Sequence, residues 1–134
     1  MASIKLFTYG TLMSGQQRQQ FLSDSSNNLF PRKQATLNGY KMYEYKPGMY
    51  PCIVDSSPDD VVLGEIVKVT NTVILTLDQI EQVAHKVFER RDVVTSEGPA
   101  IAYVAGDAMK RHMESHKHNF LVIPSGDWRK YNAY

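Results

Sequence analysis

The stretch Ile4–Leu12 constrains this chain most, because it begins as a strand and breaks at a glycine. Alternate residues from Ile4 to Tyr9 point to opposite faces, as in a pleated strand. Gly10 has no Cβ, so it can turn sharply or approach a ligand closely. Two interpretations stay open on this stretch alone. It is either a buried first strand with an ordinary turn, or a strand that leads into a binding loop.

The residues after the glycine predict a helix and exclude one type of binding loop. Ser14–Gln17 has Ser and Gln three apart, the spacing of a capping box, which predicts a helix through Arg18–Leu22. Backbone N–H groups exposed before a helix start bind anions and carbonyl oxygens. Gly10 and Gly15 have the spacing of a phosphate-binding loop, but Gln16 stands where that loop has its lysine. A nucleotide triphosphatase is therefore excluded.

Composition bounds the class of protein. The chain has 134 residues, which predicts a single domain over residues 1–134. Its apolar fraction of 43%, charged fraction of 22% and net charge of +1 are typical of a globular protein without general attraction to nucleic acid or anionic membranes. Cys52 is the only cysteine, so no internal disulfide is possible. Without a membrane-length apolar run or a signal-peptide pattern, we expect a cytoplasmic protein.

Hydrophobic periodicity predicts many strands and few, short helices. Alternation and β-branched residues are strongest in Val61–Val69, and Gly39 interrupts the alternation of an earlier strand. This order favours an α+β domain on one curved or closed sheet over a regularly alternating doubly wound fold. The main predicted strands are Ala35–Tyr45, Val61–Val69, Val87–Thr95, Ala100–Ala105 and Phe120–Ile123.

The segment Thr76–Ala84 carries a glutamate in an unusual position. Thr76 and Gln79 form a possible capping box, which predicts a helix that starts near Leu77. At 3.6 residues per turn, Glu81 shares the inward, apolar face, whereas Asp78 points outward. The inward face is otherwise Leu77, Ile80 and Ala84.

A carboxylate on an apolar stripe is costly unless it is paired, hydrogen-bonded or raised in pKa. Glu81 is therefore a functional candidate. The alternative is structural: a glutamate that leans inward and pairs with Arg90 or Arg91, or reaches the surface. Both interpretations stay open at this point.

Other reactive residue types form no convincing site. His112 and His116 are four apart on a predicted helix, but a metal site needs further ligands and an oriented outer shell. Cys52 has no identifiable base beside it and fits a small core residue. We predict no metal and no cofactor.

A series of short motifs resembles the gamma-glutamyl cyclotransferase-like superfamily, in its bacterial-type branch. The match begins with the Tyr-Gly-Thr-Leu signature at residues 9–12 and ends with a Gly-Asp-Trp at residues 126–128. Order and spacing agree along almost the whole chain. The intervening motifs are Gly39-Tyr40, Tyr50-Pro51, Gly64-Glu65, the Asp-x-x-Glu of Asp78–Glu81 and the aromatic-x-Arg of Phe88–Arg90.

The sequence departs from the superfamily pattern at two positions. Phe88 replaces the usual tyrosine, so a hydrogen bond from that hydroxyl is missing. Gln82 stands where a glycine commonly follows the glutamate, which affects helix packing or pocket width. The resemblance implies a small mixed β-barrel with a few short peripheral helices, and a cavity between the Tyr-Gly-Thr-Leu loop and the glutamate.

The resemblance also implies an activity. Such enzymes cyclise a γ-glutamyl amine or γ-glutamyl amino acid, so that the substrate's own α-amine attacks its γ-carbonyl and releases 5-oxoproline and the free amine. The partner is then a small γ-glutamyl molecule. Glu81 corresponds to the general acid/base, and backbone N–H groups of the loop bind the substrate. The implied site is catalytic Glu81, substrate-binding Tyr9, Gly10, Thr11 and Leu12, and supporting Arg90 and Phe88.

Two further functions stay open. One is a catalytically inactive member of the same fold that binds a small ligand or a protein partner. The other is an amidohydrolase in which Glu81 activates water. Tyr9 either lines the pocket or is a core tyrosine. The identity of the leaving amine and the oligomeric state do not follow from the sequence.

Overall fold

The computed structural model of the chain describes residues 4–10 and 33–128. Two α-helices and two short 3-10 turns accompany the strands of this described part. The strands are β1 (Ile4–Thr8), β2 (Lys33–Asn38), β3 (Tyr40–Tyr45), β4 (Tyr50–Asp55), β5 (Val61–Val69), β6 (Phe88–Thr95), β7 (Gly98–Ala105) and β8 (Phe120–Val122). The helices are α1 (Asn71–Ile80) and α2 (Asp107–Ser115), and the 3-10 turns are Val83–His85 and Lys117–Asn119.

The strands pair into two sheets. The larger has five strands in the order β2-β5-β1-β7-β6, and the smaller has three in the order β4-β3-β8. The larger sheet is mixed, because β1 runs antiparallel to β5 but parallel to β7. The predicted α+β class, with a mixed sheet and few short helices, is confirmed.

Strand β1 lies at the centre of the larger sheet and is buried on both faces. Leu6 packs in an apolar cluster with residues of β5 and α1, whereas Phe7 packs in a second cluster that includes Met42 and Ile53 of the smaller sheet. Leu6 and Phe7 are each 1% exposed. Each such side chain contributes about 1.5–3 kcal/mol by leaving water. The end of β1 is therefore held firmly from two sides.

The predicted barrel is corrected: the described strands form two sheets that do not close. Gly39 has a φ of +90° and separates β2, which pairs with β5, from β3, which pairs with β4 and β8. The two edge strands of the larger sheet, β2 and β6, approach each other near the hairpin between β6 and β7. There Ser96 N–H donates to the Thr36 carbonyl at 2.9 Å, and Thr36 N–H donates to Ser96 Oγ at 2.9 Å. These bonds join the edges without a strand ladder.

The predicted bounds of the strand Val61–Val69 are confirmed. The predicted start of the following helix, near Leu77, was wrong. Helix α1 begins six residues before Leu77, at Asn71, and Thr70 is its N-cap. The Thr70 Oγ1 accepts from the Val73 N–H at 3.4 Å, so the capping box at Thr76 is not used. Because the helix ends at Ile80, Ala84 lies beyond it and is exposed.

Some predictions fall on residues that the structure does not describe. The helix predicted through Arg18–Leu22 and its capping box lie outside the described ranges, as do Thr11 and Leu12. None of the helices that are described has the length and apolar character needed to cross a bilayer.

Candidate functional site

A cavity of about 140 Å³ lies where β1 ends. Its walls come from segments far apart in the sequence, which the fold brings together. Among the described residues, they are Leu6–Gly10 from β1 and the following turn, Tyr50 and Pro51 from β4, Ile80–Gln82 from the end of α1, Val87 and Phe88 at the start of β6, and Tyr103 from β7. A small molecule bound here contacts both the glycine turn and Glu81.

The turn at Gly10 depends on the proline of the Tyr-Pro pair. A Cβ at Gly10 would lie 2.8 Å from Pro51 Cγ and 3.2 Å from its Cδ, closer than side chains normally pack. Pro51 is itself buried. Glycine is therefore required at position 10 because the chain passes directly over the proline ring. This contact joins the two motifs in the fold.

Glu81 lies at the C-terminal end of α1. It is the C-cap residue, and its N–H donates to the Leu77 carbonyl at 2.8 Å. The next residue, Gln82, has a left-handed backbone with φ 53° and ψ 47°, which ends the helix. Glu81 is partly buried and lines the cavity. The prediction that Glu81 shares the inward face is consistent with its place in the cavity wall, although the helix ends before it.

Tyr9 is both a core residue and part of the cavity wall. Its side chain is 7% exposed, and its hydroxyl donates to the Tyr103 carbonyl. Burial raises the pKa of Tyr9 well above its usual value of 10, and electrostatic interactions with Cys52 and Glu81 raise it further. The phenol therefore stays protonated and acts as a hydrogen-bond donor. Both interpretations of Tyr9 hold.

The Asp of the Asp-x-x-Glu motif anchors the helix that carries Glu81. Asp78 accepts a 2.6 Å hydrogen bond from the Tyr103 hydroxyl, and Arg90 forms an ion pair with it at 3.3 Å. Burial, and then the hydrogen bond to Asp78, raise the pKa of Tyr103 above its usual value. The prediction that Asp78 points outward was wrong. It faces β7 and β6.

Arg90 and Arg91 lie on opposite sides of β6. Arg90 contacts Asp78, one helical turn before Glu81. Arg91 contacts Asp55 at 2.7 Å and Glu89 at 2.8 Å. Direct support of Glu81 by Arg90 stays a prediction. The observed pairing indicates support through Asp78.

Phe88 forms an apolar part of the cavity wall. It is 6% exposed, and its ring lies 6.0 Å from that of Tyr50, measured between centroids. Both residues line the cavity. The departure from tyrosine at position 88 thus replaces a polar group with an apolar one in the wall, without removing the ring that packs against Tyr50.

Two polar residues near the site were not among the predicted site residues. Glu65 on β5 is 2% exposed and is the register partner of Thr8, which lines the cavity. The Gln34 Nε2 lies 3.5 Å from Oε2 of Glu65. The signal was present in the sequence, because Glu65 alternates with Val67 and Val69 on one face of a strand. Tyr103, which also lines the cavity, lies in a largely apolar strand where no pattern distinguishes it from a core residue.

The structure brings together most of the predicted site. Tyr9, Gly10, Glu81 and Phe88 all line the same cavity. Arg90 lies outside the cavity wall and pairs with Asp78, one helical turn before Glu81. Thr11 and Leu12 lie outside the described residues, so their place in the site stays a prediction.

Comparisons with known proteins agree with this arrangement. The family model described as gamma-glutamyl cyclotransferase, AIG2-like, matches residues 6–130. No curated protein matches the sequence.

Several solved structures share the fold at low sequence identity. A uropathogenic Escherichia coli-specific protein is 18% identical with a TM-score of 0.76, over 100% of this chain and 98% of that one. An AIG2-like protein from Mus musculus is 19% identical with a TM-score of 0.68, over 78% of each chain. A structure described as gamma-glutamyl cyclotransferase is 23% identical with a TM-score of 0.57, over 78% of this chain and 67% of that one.

Proposed function

Because the chain belongs to the gamma-glutamyl cyclotransferase, AIG2-like family, we propose that it converts a γ-glutamyl amine or γ-glutamyl amino acid into 5-oxoproline and a free amine. The family match supports a cyclotransferase-type enzyme. The observation that carries the specific proposal is that Glu81 and the turn at Tyr9 and Gly10 line one cavity. One site thus brings the carboxylate of Glu81 and the turn at Gly10 to the same small molecule.

In the proposed reaction, the substrate supplies its own nucleophile. Glu81 takes a proton from the α-ammonium group, and the freed amine attacks the γ-carbonyl carbon to form a C–N bond. In the tetrahedral intermediate, Glu81 gives this proton to the leaving nitrogen and takes the second proton that the attacking nitrogen must lose. The bond to the leaving nitrogen then breaks, and the second proton leaves with the released amine as an ammonium ion. Of the three hydrogens of the α-ammonium group, one stays on the nitrogen of 5-oxoproline and two end on the amine, and no covalent enzyme intermediate forms. General acid/base catalysis of this kind contributes about 10²- to 10⁴-fold in rate.

The position of Glu81 suits a proton acceptor. The last carbonyls of a helix carry partial negative charge, which favours a group that takes up a proton over one that stays negatively charged. The buried Tyr9 and the apolar ring of Phe88 further limit water around Glu81.

The size of the cavity suits the γ-glutamyl part of the substrate. Its volume of about 140 Å³ is close to that of an engineered cavity of about 150 Å³ that accepts benzene. A γ-glutamyl chain held in a space of this size is folded, so that its α-amine meets its γ-carbonyl. Proximity of this kind supplies roughly 7 kcal/mol or more of the barrier. A pocket that was collapsed or filled by side chains would instead have favoured an inactive member of the fold.

The test is mass spectrometry of products from γ-glutamyl-alanine, γ-glutamyl-ε-lysine, glutathione and simple γ-glutamyl amines. We expect 5-oxoproline from at least one compound with the wild-type protein, and at least about a hundredfold less with Glu81→Gln. Glu97→Gln is the matched control, because Glu97 is an exposed carboxylate on the turn before β7. Glutamate in place of 5-oxoproline would instead identify a hydrolase. Full activity in Glu81→Gln would remove Glu81 from the mechanism.

A further inference from the structure

The residue after Glu81 has an unusual backbone conformation. Gln82 has a φ of 53°, in the left-handed region, and Lys86 at the other end of the 3-10 turn Val83–His85 has a φ of 61°. A side chain makes this conformation unfavourable, whereas glycine adopts it freely. Strained residues of this kind cluster at functional sites. Of the two, Gln82 lines the cavity.

Gln82 lies at the opening of the cavity. Most of the cavity walls are buried, including Leu6–Tyr9, Pro51 and Tyr103, whereas Gln82 is exposed. The space of about 140 Å³ accommodates a γ-glutamyl group but not a large amine in addition. The leaving amine must therefore extend outward, past residues of the opening. Gln82 is the immediate neighbour of the proposed proton donor to that amine.

The amide of Gln82 is well suited to contact the leaving group. The backbone of Gln82 makes hydrogen bonds within the turn: its N–H donates to the Gln79 carbonyl, and its carbonyl accepts from the N–H groups of His85 and Val87. The side chain offers an N–H₂ donor pair and a carbonyl acceptor. A carboxylate or carboxamide on the carbon next to the leaving nitrogen complements these groups. An alkyl substituent does not.

We propose that Gln82 is a specificity-determining residue, whose side-chain amide hydrogen-bonds the leaving group and favours amino acids and peptides over simple alkylamines. This inference rests on the proposed cyclotransferase function. It explains why a glutamine is kept in a backbone conformation that favours glycine: the strain places a polar side chain beside the scissile bond.

The test compares two neutral substrates of the same branching, γ-glutamyl-alaninamide and γ-glutamyl-isopropylamine, by their ratio of kcat/KM. We expect Gln82→Ala and Gln82→Gly to lower this ratio by about three- to tenfold, the effect of one neutral hydrogen bond. The loss should be equal in both variants, because both lack the amide. Gln82→Gly should have the higher Tm of the two, because it alone relieves the strain.

Lys86→Gly is the matched control. It relieves the same backbone strain at a residue that is not part of the cavity wall, so it should leave the ratio of kcat/KM unchanged. A ratio that is unchanged in both Gln82 variants would overturn the inference. A ratio that falls equally in Lys86→Gly would overturn it too, because the effect would then come from the turn and not from the amide.

A binding measurement separates this inference from the proposed function. The side-chain amide resonance of Gln82 is followed by NMR as γ-glutamyl-alaninamide or γ-glutamyl-isopropylamine is added to the wild-type protein. A shift specific to the alaninamide, without 5-oxoproline formation, would support the contact and reject the catalytic proposal. Turnover with identical shifts for both compounds would reject the Gln82 contact but not the catalytic proposal. The absence of both turnover and a shift would reject both proposals.

Discussion

The Tyr103 hydroxyl donates a 2.6 Å hydrogen bond to the Asp78 carboxylate, which links the central part of β7 to the last turn of α1. Arg90 on β6 pairs with the other oxygen of Asp78 at 3.3 Å. Two strands of the larger sheet thus hold the helix one turn before Glu81. The Asp and Glu of the Asp-x-x-Glu motif have different tasks: the first fixes the helix end and the second lies in the cavity.

Removing the Tyr103 hydroxyl should loosen this helix end. Tyr103→Phe keeps the ring but leaves Asp78 with Arg90 alone, so we expect a loss of about 2 kcal/mol in the free energy of unfolding, as for a hydrogen bond to a charged group. Because Glu81 is then less firmly placed, kcat should fall about three- to tenfold with little change in KM. Urea denaturation and steady-state kinetics measure the two effects.

The matched control is Tyr45→Phe. The Tyr45 hydroxyl lies 3.4 Å from His112 Nε2, a longer contact with a group outside the cavity wall. We expect a loss below about 1 kcal/mol and an unchanged kcat. Equal effects in the two variants would contradict a specific role for the Tyr103–Asp78 bond.

Position 10 should tolerate no side chain while Pro51 is present. Gly10→Ala places a Cβ 2.8 Å from Pro51 Cγ, so the turn or the proline must move. We expect kcat/KM to fall at least about tenfold, because small displacements of positioning groups are costly in catalysis. The far-ultraviolet circular dichroism spectrum should stay that of the wild type.

A second substitution tests this cause. Pro51→Ala removes the ring that the new Cβ meets, so the double variant should recover part of the activity lost in Gly10→Ala. A thermodynamic cycle of the four proteins measures this coupling. Strictly additive losses would indicate that the contact between residues 10 and 51 does not position the turn.

The strands were predictable from sequence because their signals are local. In β5, nine consecutive residues have β-branched or alternating character, and the predicted bounds Val61–Val69 agree with the structure. The break at Gly39 was also visible, but its consequence was not. Whether the chain continues one sheet or starts another depends on strand partners distant in sequence, and no local pattern encodes them.

In the candidate site, too, local features were predictable from sequence and long-range contacts were not. Glu81 stood out because a carboxylate shared an apolar face, although the N-cap of the helix is Thr70 and not Thr76. Tyr103 and the inward position of Asp78 were missed, because their role comes from a contact between β7 and α1 over 25 positions in the chain. The strain at Gln82 likewise follows from where the helix ends, which the sequence did not predict.

Gly64 should be essential for the close packing of β5 against β1. A Cβ there would lie 2.2 Å from the Thr8 carbonyl oxygen and 2.8 Å from Phe7 Cζ, in the centre of the sheet. We expect Gly64→Ala to lower the free energy of unfolding by about 3 kcal/mol or more, at the upper end of overpacking effects. Gly39→Ala is the control. It meets no atom within 4 Å and suffers only from its φ of +90°, so about 1–2 kcal/mol should be lost. Similar losses measured by urea denaturation would contradict a steric cause at Gly64.

Cys52 should make the protein sensitive to alkaline pH. Burial raises the pKa of its thiol from 9.0 to about 12, so the folded protein keeps the proton that the unfolded chain releases above pH 9. The unfolded state then binds fewer protons, and stability that is fully present below pH 9 is lost as pH rises towards 12. Between pH 9 and pH 10 we expect this group to remove about 1 kcal/mol of unfolding free energy.

Cys52→Ala isolates this contribution, because the other titrating groups are common to both proteins. Urea denaturation between pH 7 and pH 10 should give two parallel curves up to about pH 8.5, with the wild type declining more steeply above it. Parallel curves over the whole range would show that the thiol ionises as easily in the folded protein as in the unfolded chain. That result would be inconsistent with a Cys52 side chain that is 0% exposed between the cavity wall and the core.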